Sequence, residues 1–215
     1  MNHQKYPHRR SLPIAMLALA IGATLPVTAN AGSGDQSFDV TFNANIRNTT
    51  CDMTINGANA AATITIGTGQ VTLSDIIHHK DDNTTTAPNM ATFSLEVKNC
   101  PTSFSGIKTT ISGTPYANDA TILLPGTSDS RNATSALGVK ISRASASTNY
   151  FKIFSGTNTS ESGSEVIIWT ADEMDKAKDG KVMLLARLVP TGEYSKTNPG
   201  IGQFQATATF NFSYE

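Results

Sequence analysis

From Gly202 to Glu215, the last fourteen residues, apolar and polar side chains alternate. Phe204, Ala206, Ala208, Phe210, Phe212 and Tyr214 are separated by single polar residues. Successive side chains of a β-strand point to opposite faces, so a period of two puts all of them on one face. Glycine opens this stretch and tyrosine stands next to its end. So much apolar surface on the last strand of the sequence predicts that another molecule covers it.

The same period recurs near the other end. Phe38, Val40, Phe42, Ala44 and Ile46 alternate with Asp39, Thr41, Asn43, Asn45 and Arg47. Between the two lie shorter apolar stretches. Ile64 and Ile66 form a short strand that closes at Gly67 and Gly69. Phe93, Leu95 and Val97 alternate towards Cys100, and Pro101 ends that strand. Ile107 to Ile111 is followed by a turn at Gly113 and Pro115, and Ile122 to Leu124 by Pro125-Gly126. Leu137, Val139 and Ile141 alternate, as do Phe151 and Ile153 or Phe154, and Val166, Ile168 and Trp169 form another short apolar run. Val182 to Val189 is the longest apolar run in this part of the chain, and Pro190 stops it. The only helix-like stretch is Thr170 to Lys178, with Thr170 as a cap before Asp172 and Glu173. Asp81 to Pro88 and Thr157 to Gly163 read as polar loops, not domain boundaries. Many short strands with turn residues between them predict an all-β sandwich of immunoglobulin-like character.

The first 31 residues have a different character. Lys5, Arg9 and Arg10 precede an apolar run from Ile14 to Ile21, and Ala29-Asn30-Ala31 has the small-residue pattern of a cleavage site. This reads as a secretory signal peptide over 1–31. A membrane anchor is the alternative, but the run is too short to span a bilayer and breaks at Gly22 and Pro26. The mature chain, 32–215, then has 184 residues, enough for one domain with a real core. It carries 13 Lys and Arg against 17 Asp and Glu, a net charge of −4. That mildly acidic balance does not favour nucleic acid or an anionic membrane as partner. Two cysteines, Cys51 and Cys100, form an even pair in an exported chain, where a disulfide is the natural state rather than two free thiols.

An exported β-domain, two cysteines with one close behind the first strand, and alternating strands at both mature ends occur together here. In this the chain resembles the pilin subunits of chaperone–usher fimbriae, close to the type 1 family, over essentially its whole mature length. Phe38, Val40, Phe42, Ala44 and Ile46, leading to Cys51, look like the family's N-terminal donor extension. Gly202, fourteenth from the end, and Tyr214, next to last, match its C-terminal strand. The resemblance implies an immunoglobulin-like sandwich lacking its last strand and completed by donor-strand exchange. A periplasmic chaperone first lends a strand to the groove beside Gly202, Phe204, Ala206, Ala208, Phe210, Phe212 and Tyr214 and anchors the terminal carboxylate. At the outer-membrane usher, the extension of the next pilin subunit replaces it. The implied organisation is a signal peptide (1–31), a donor extension (32–50) and a pilin domain (51–215). Where Ala44 stands the family usually has glycine, because the groove is tight there. An ordinary complete sandwich, with Phe38 to Ile46 as its own first strand, is the alternative.

Candidate chemistry is sparse. His78-His79 with Asp75, Asp81 and Asp82 could suggest a metal site, but adjacent histidines on a strand point apart, and a solvated loop accounts for them better. No G-x-S-x-G elbow is present, and the cysteines are already assigned. Gly67-Thr68-Gly69 lacks the rest of a dinucleotide loop. Asp172, Glu173 and Asp175 read as solvated acids, and Trp169 as core. N-x-S/T sequons begin at Asn48, Asn83, Asn132 and Asn158, as chance matches in a chain rich in Thr and Asn. No cofactor and no enzyme activity are expected. The expected role is a structural subunit, exported through the periplasm into a surface fimbrium that supports adhesion, with any host receptor met through the fibre. A tip adhesin or adaptor binding host glycan is the alternative, but the extension starts too near the cleavage site to leave room for a lectin domain.

Overall fold

In chain order the strands are β1 (Phe38–Asn45), β2 (Asp52–Ile55), β3 (Ala58–Asn59) and β4 (Ala61–Thr65). The helix α1 (Leu73–His78) follows, then β5 (Met90–Lys98), β6 (Ile107–Ser112), β7 (Pro115–Tyr116) and β8 (Asp119–Leu123). Next come β9 (Leu137–Arg143), β10 (Ile153–Phe154), β11 (Ile167–Ile168), β12 (Gly180–Pro190) and β13 (Phe204–Tyr214). The structure, a computed structural model, describes residues 38–45, 51–59, 61–100, 106–126, 135–156, 167–169, 180–195, 197 and 202–214. The expected signal peptide, the helix at Thr170 to Lys178 and the loop at Thr157 to Gly163 lie outside the described residues, as do Ile46 and the link 46–50.

The strands form two sheets, and the protein is an all-β sandwich. The first sheet runs β10-β6-β13-β1-β4, with β11 also on β6, and the second β3-β2-β5-β12-β9-β8-β7. Their inner faces share one apolar core, into which β13 sends Phe204, Ala206, Ala208, Phe210 and Phe212. The period-two reading of the last strand therefore holds for these five residues. Trp169 is core, as expected: its ring meets Phe212 edge-on at 6.4 Å, and its indole N–H donates to Thr109 Oγ1 at 2.9 Å. Cys51 and Cys100 are disulfide-bonded and close a loop with a sequence separation of 49. In the chain-entropy picture such a loop stabilises the fold by about 4 kcal/mol.

Three local features were not anticipated from the sequence. The hairpin β2–β3 turns on Asn56 and Gly57, at φ 50° and 79°, a two-residue turn that needs positive φ at both positions. The strands beside it are too short to show a period. Second, His78 and His79 are not in an open loop. His78 ends α1, and His79 is its C-cap. Thr72 caps the other end: its Oγ1 accepts from the Asp75 N–H at 3.1 Å, and its own N–H donates to Asp75 Oδ2 at 3.3 Å. This is a capping box with aspartate as the reciprocal acid, on a helix too short to display a 3.6-residue period. Third, the apolar run Val182 to Val189 holds a fully buried cation. Arg187 sits at 0% exposure on the outer side of β12. Its guanidinium donates to the carbonyls of His79 (3.3 Å), Lys80 (3.1 Å), Asp82 and Ser147 (3.4 Å). It thereby fastens the segment after α1 and the turn after β9 to the second sheet.

Candidate functional site: a slot in the first sheet and the strand that fills it

The backbone of β13 has two neighbours. On one side is β6, antiparallel, from Thr209↔Ser112 to Tyr214↔Ile107. On the other is β1, parallel, in a register that runs from Phe38↔Phe204 to Asn45↔Asn211. The far edge of β1 pairs antiparallel with β4, from Asp39↔Thr65 to Asn43↔Ala61. Every hydrogen-bonding link between β13 and β4 therefore passes through β1. Without β1 the first sheet has a slot one strand wide, bounded by β13 and β4.

The slot is shaped for alternate side chains. Val40 stands across from Ala206 and Ile64, and Phe42 across from Ala208 and Ala62. The alanines on β13 leave the room that the two larger side chains take. Both Val40 and Phe42 are 0% exposed. Phe42 is the deepest contact: its ring stacks on Phe93 of the opposite sheet at 4.5 Å and meets Phe210 edge-on at 5.5 Å. Phe93 and Phe210 are 6.0 Å apart, so the three rings close on one another. Burying side chains of this size is worth roughly 1.5–3 kcal/mol each. The outward residues of β1 are polar. Thr65 Oγ1 donates to Asp39 Oδ1 at 3.1 Å, and Gln205 Nε2 donates to Thr41 Oγ1 at 3.4 Å.

The expected donor and groove residues are thus brought side by side, but within one chain. The alternative reading has this segment as the first strand of its own sandwich, and over Phe38–Asn45 β1 does lie in the sheet of its own chain. Ile46 is outside the described residues, as are the side chains of Phe38, Ala44 and Tyr214. Two groove residues were missed. Ile64, read only as part of a short strand, belongs to the second wall, and Phe93 forms the floor on the opposite sheet. Neither carries a local signal for that role, because each is set by pairing between distant segments.

Among the described residues no group of three or more His, Cys, Asp or Glu stands where it could hold a metal. His78 Nδ1 pairs with Ser74 Oγ at 3.1 Å, and His79 Nδ1 with Asp82 Oδ2 at 2.6 Å, so the two rings serve different partners. The perturbed carboxylates lie on the second sheet. The Lys181 ammonium and the Ser94 hydroxyl hold Glu96 below the usual carboxylate range. Burial pushes Asp119 up, but hydrogen bonds from Thr121 and Lys140 outweigh it and leave that carboxyl low.

Comparison with known proteins agrees with this architecture. The crystal structure of the P pilus rod subunit PapA superposes with a TM-score of 0.51 at 14% identity, over 76% of this chain and 99% of that one. An antigen and type I fimbria protein of Burkholderia pseudomallei gives a TM-score of 0.36 at 13% identity, over 83% of this chain and 92% of that one. In sequence, the uncharacterized fimbrial-like protein YadM of Escherichia coli (strain K12) is 28% identical over 184 residues, 82% of this chain and 86% of that protein. The family described as "Fimbrial protein" matches residues 26–215. An all-β sandwich whose first and last strands lie side by side, together with a match over nearly its whole length, makes this chain a member of the fimbrial protein family, a family of pilin subunits.

Proposed function

We propose that this chain is a structural subunit of a chaperone–usher surface fimbria that polymerises by donor-strand exchange and supports cell adhesion through the fibre. The observation that carries this reading is the slot between β13 and β4: it takes one strand, and that strand comes from the leading end of the chain. Strand addition of this kind uses backbone hydrogen bonds for affinity and alternate side chains for specificity. Val40 and Phe42 fit the second requirement, with Ala206, Ala208, Phe93 and Phe210 as their receiving surface. An empty slot would present an apolar furrow and two unpaired strand edges, a hazard for aggregation. A periplasmic chaperone would cover it before an outer-membrane usher presents the next subunit. Residues 1–31 would serve as the export signal, 32–50 as the donor extension and 51–215 as the pilin body.

The test is deletion of 38–46 in cells that supply the chaperone and usher. The shortened subunit should accept a neighbour but not donate, so its co-expression with the full chain should shorten the fibres seen by electron microscopy. Fibres of ordinary length grown from the deletion alone would overturn the reading.

A further inference from the structure

An edge strand offers a row of unpaired N–H and C=O groups to any chain that can lie beside it, and proteins blunt such edges with shortness, charge, proline or a bulge. Among the described residues, most edges of the two sheets are blunted in this way. β3 is two residues long, and so are β10 and β11, which both pair with β6. β7 is equally short, opens with Pro115, and its register with β8 is irregular. β4 is the exception. It runs Ala61-Ala62-Thr63-Ile64-Thr65, five residues without charge or proline, and its register with β1 is unbroken. One edge of β4 is taken by β1, and among the described residues no other strand pairs with it. Ala61, Thr63 and Thr65 are exposed. The outer edge of β4 faces away from the slot, so it stays open whichever chain supplies the strand between β13 and β4.

We propose that β4 pairs edge to edge with β4 of a second copy, antiparallel about a two-fold axis, so that the first sheet continues from one subunit into the next. The strand is complementary to itself. Directly opposed residues on antiparallel strands share a face, so the axis passes through a residue and not between two. Centred on Thr63, all five residues pair: Ala61 with Thr65, Ala62 with Ile64, and Thr63 with its own counterpart. Centred on Ala62 or Ile64, only three of the five do. Ala62 and Ile64 both pack against the core, so the pairing sets a small side chain beside a large one on the inner face. On the outer face two threonines meet on the axis, a favourable cross-strand pair. No like charges meet, because the strand has none. Five residues span about 17 Å, so the contact falls short of the roughly 1,200 Å² of a stable interface. It is weak between two single subunits and strengthens where many copies are held in one array. The pairing does not rest on strand exchange at the slot; side-by-side association of fibres follows from the two together.

The experiment uses the full mature chain with single cysteines in β4, under oxidation mild enough to leave the native pair, which is buried at 4% and 2% exposure. Opposed Cα atoms of an antiparallel pair stand about 4.5–5.5 Å apart, within the reach of a disulfide. Thr63→Cys should therefore link to its own counterpart in a second copy. Thr65→Cys alone should not, because its counterpart lies about 13 Å away along the strand. Thr65→Cys mixed with Ala61→Cys should link again, as a mixed dimer. The first and third cases should run about tenfold faster than the second, which only chance collision can link. Equal linking in all three, no linking, or linking in only one of the two expected cases overturns the proposal. If the cysteine variants fail to fold, hydrogen exchange on the unaltered chain decides. At about 1 mM protein the amides of 61–65 should exchange about twofold more slowly than in dilute solution, with those of β6 unchanged. Exchange at 61–65 that does not respond to concentration overturns the proposal.

Discussion

At the scale of single residues, Phe42 does most to join the arm to the body. It touches one ring in its own sheet and one in the opposite sheet. Phe42→Ala should lower the stability of the monomer by about 3–5 kcal/mol, the usual range for a buried ring, read from denaturant unfolding. A loss under about 0.5 kcal/mol would mean that the arm is not seated. Arg187 answers to a different physics. Its cation is buried among carbonyls that have left water, and Lys cannot reproduce the planar fork that serves them. Arg187→Lys should therefore cost about 2–4 kcal/mol, since each orphaned carbonyl costs about 1–3 kcal/mol, and should expose the amides of 79–83 to hydrogen exchange. Glu96 gives a pH signature. Its carboxyl is held low by the bond from Lys181, so its contribution is present above the unfolded value near 4.5 and fades as pH falls through the lower folded value. The pair is on the surface, with Lys181 57% exposed. Glu96→Gln should then cost under about 1 kcal/mol at neutral pH, and nothing once both chains are measured well below pH 4.

At the scale of elements, what the sequence revealed follows from what a period can carry. β1, β5, β9 and β13 each alternate over enough residues to show which face is apolar, and the structure buries that face. β2, β3, β7 and α1 are too short to do so; they are fixed by a positive-φ turn, a cap or the pairing of a neighbour. The partners of a strand are less legible still. Nothing in Phe38 to Asn45 says that it lies between β13 and β4, or that it runs parallel to one and antiparallel to the other. The position of the Arg187 guanidinium is equally hidden, because its acceptors come from segments more than 100 residues away along the chain at His79, Lys80 and Asp82. The small residues of β13 allow a test at this scale. Ala208→Leu would fill the space Phe42 takes, and overpacking a well-filled core costs about 1–3 kcal/mol. Hydrogen exchange should speed up across 39–45 while β6 still protects the other edge of β13. Uniform loss of protection across both sheets would contradict this division of the sheet.

At the scale of the molecule, the fold is a sandwich whose first strand is held by contacts alone. Cys51→Ser should lower stability by about 4 kcal/mol in the loop-closure picture, measured as a shift in the unfolding midpoint. An unchanged midpoint would mean that the unfolded chain is already as restricted as the bonded one. The position of this bond in the sequence has a topological consequence. Cys51 and Cys100 make a covalent ring from β2 to β5, and both β1 and β13 lie outside it. β4 is the one wall of the slot inside the ring. The leading strand can therefore peel away sideways, and another can be laid down in its place, without any part of the chain being threaded through a closed circle and without a covalent bond being broken.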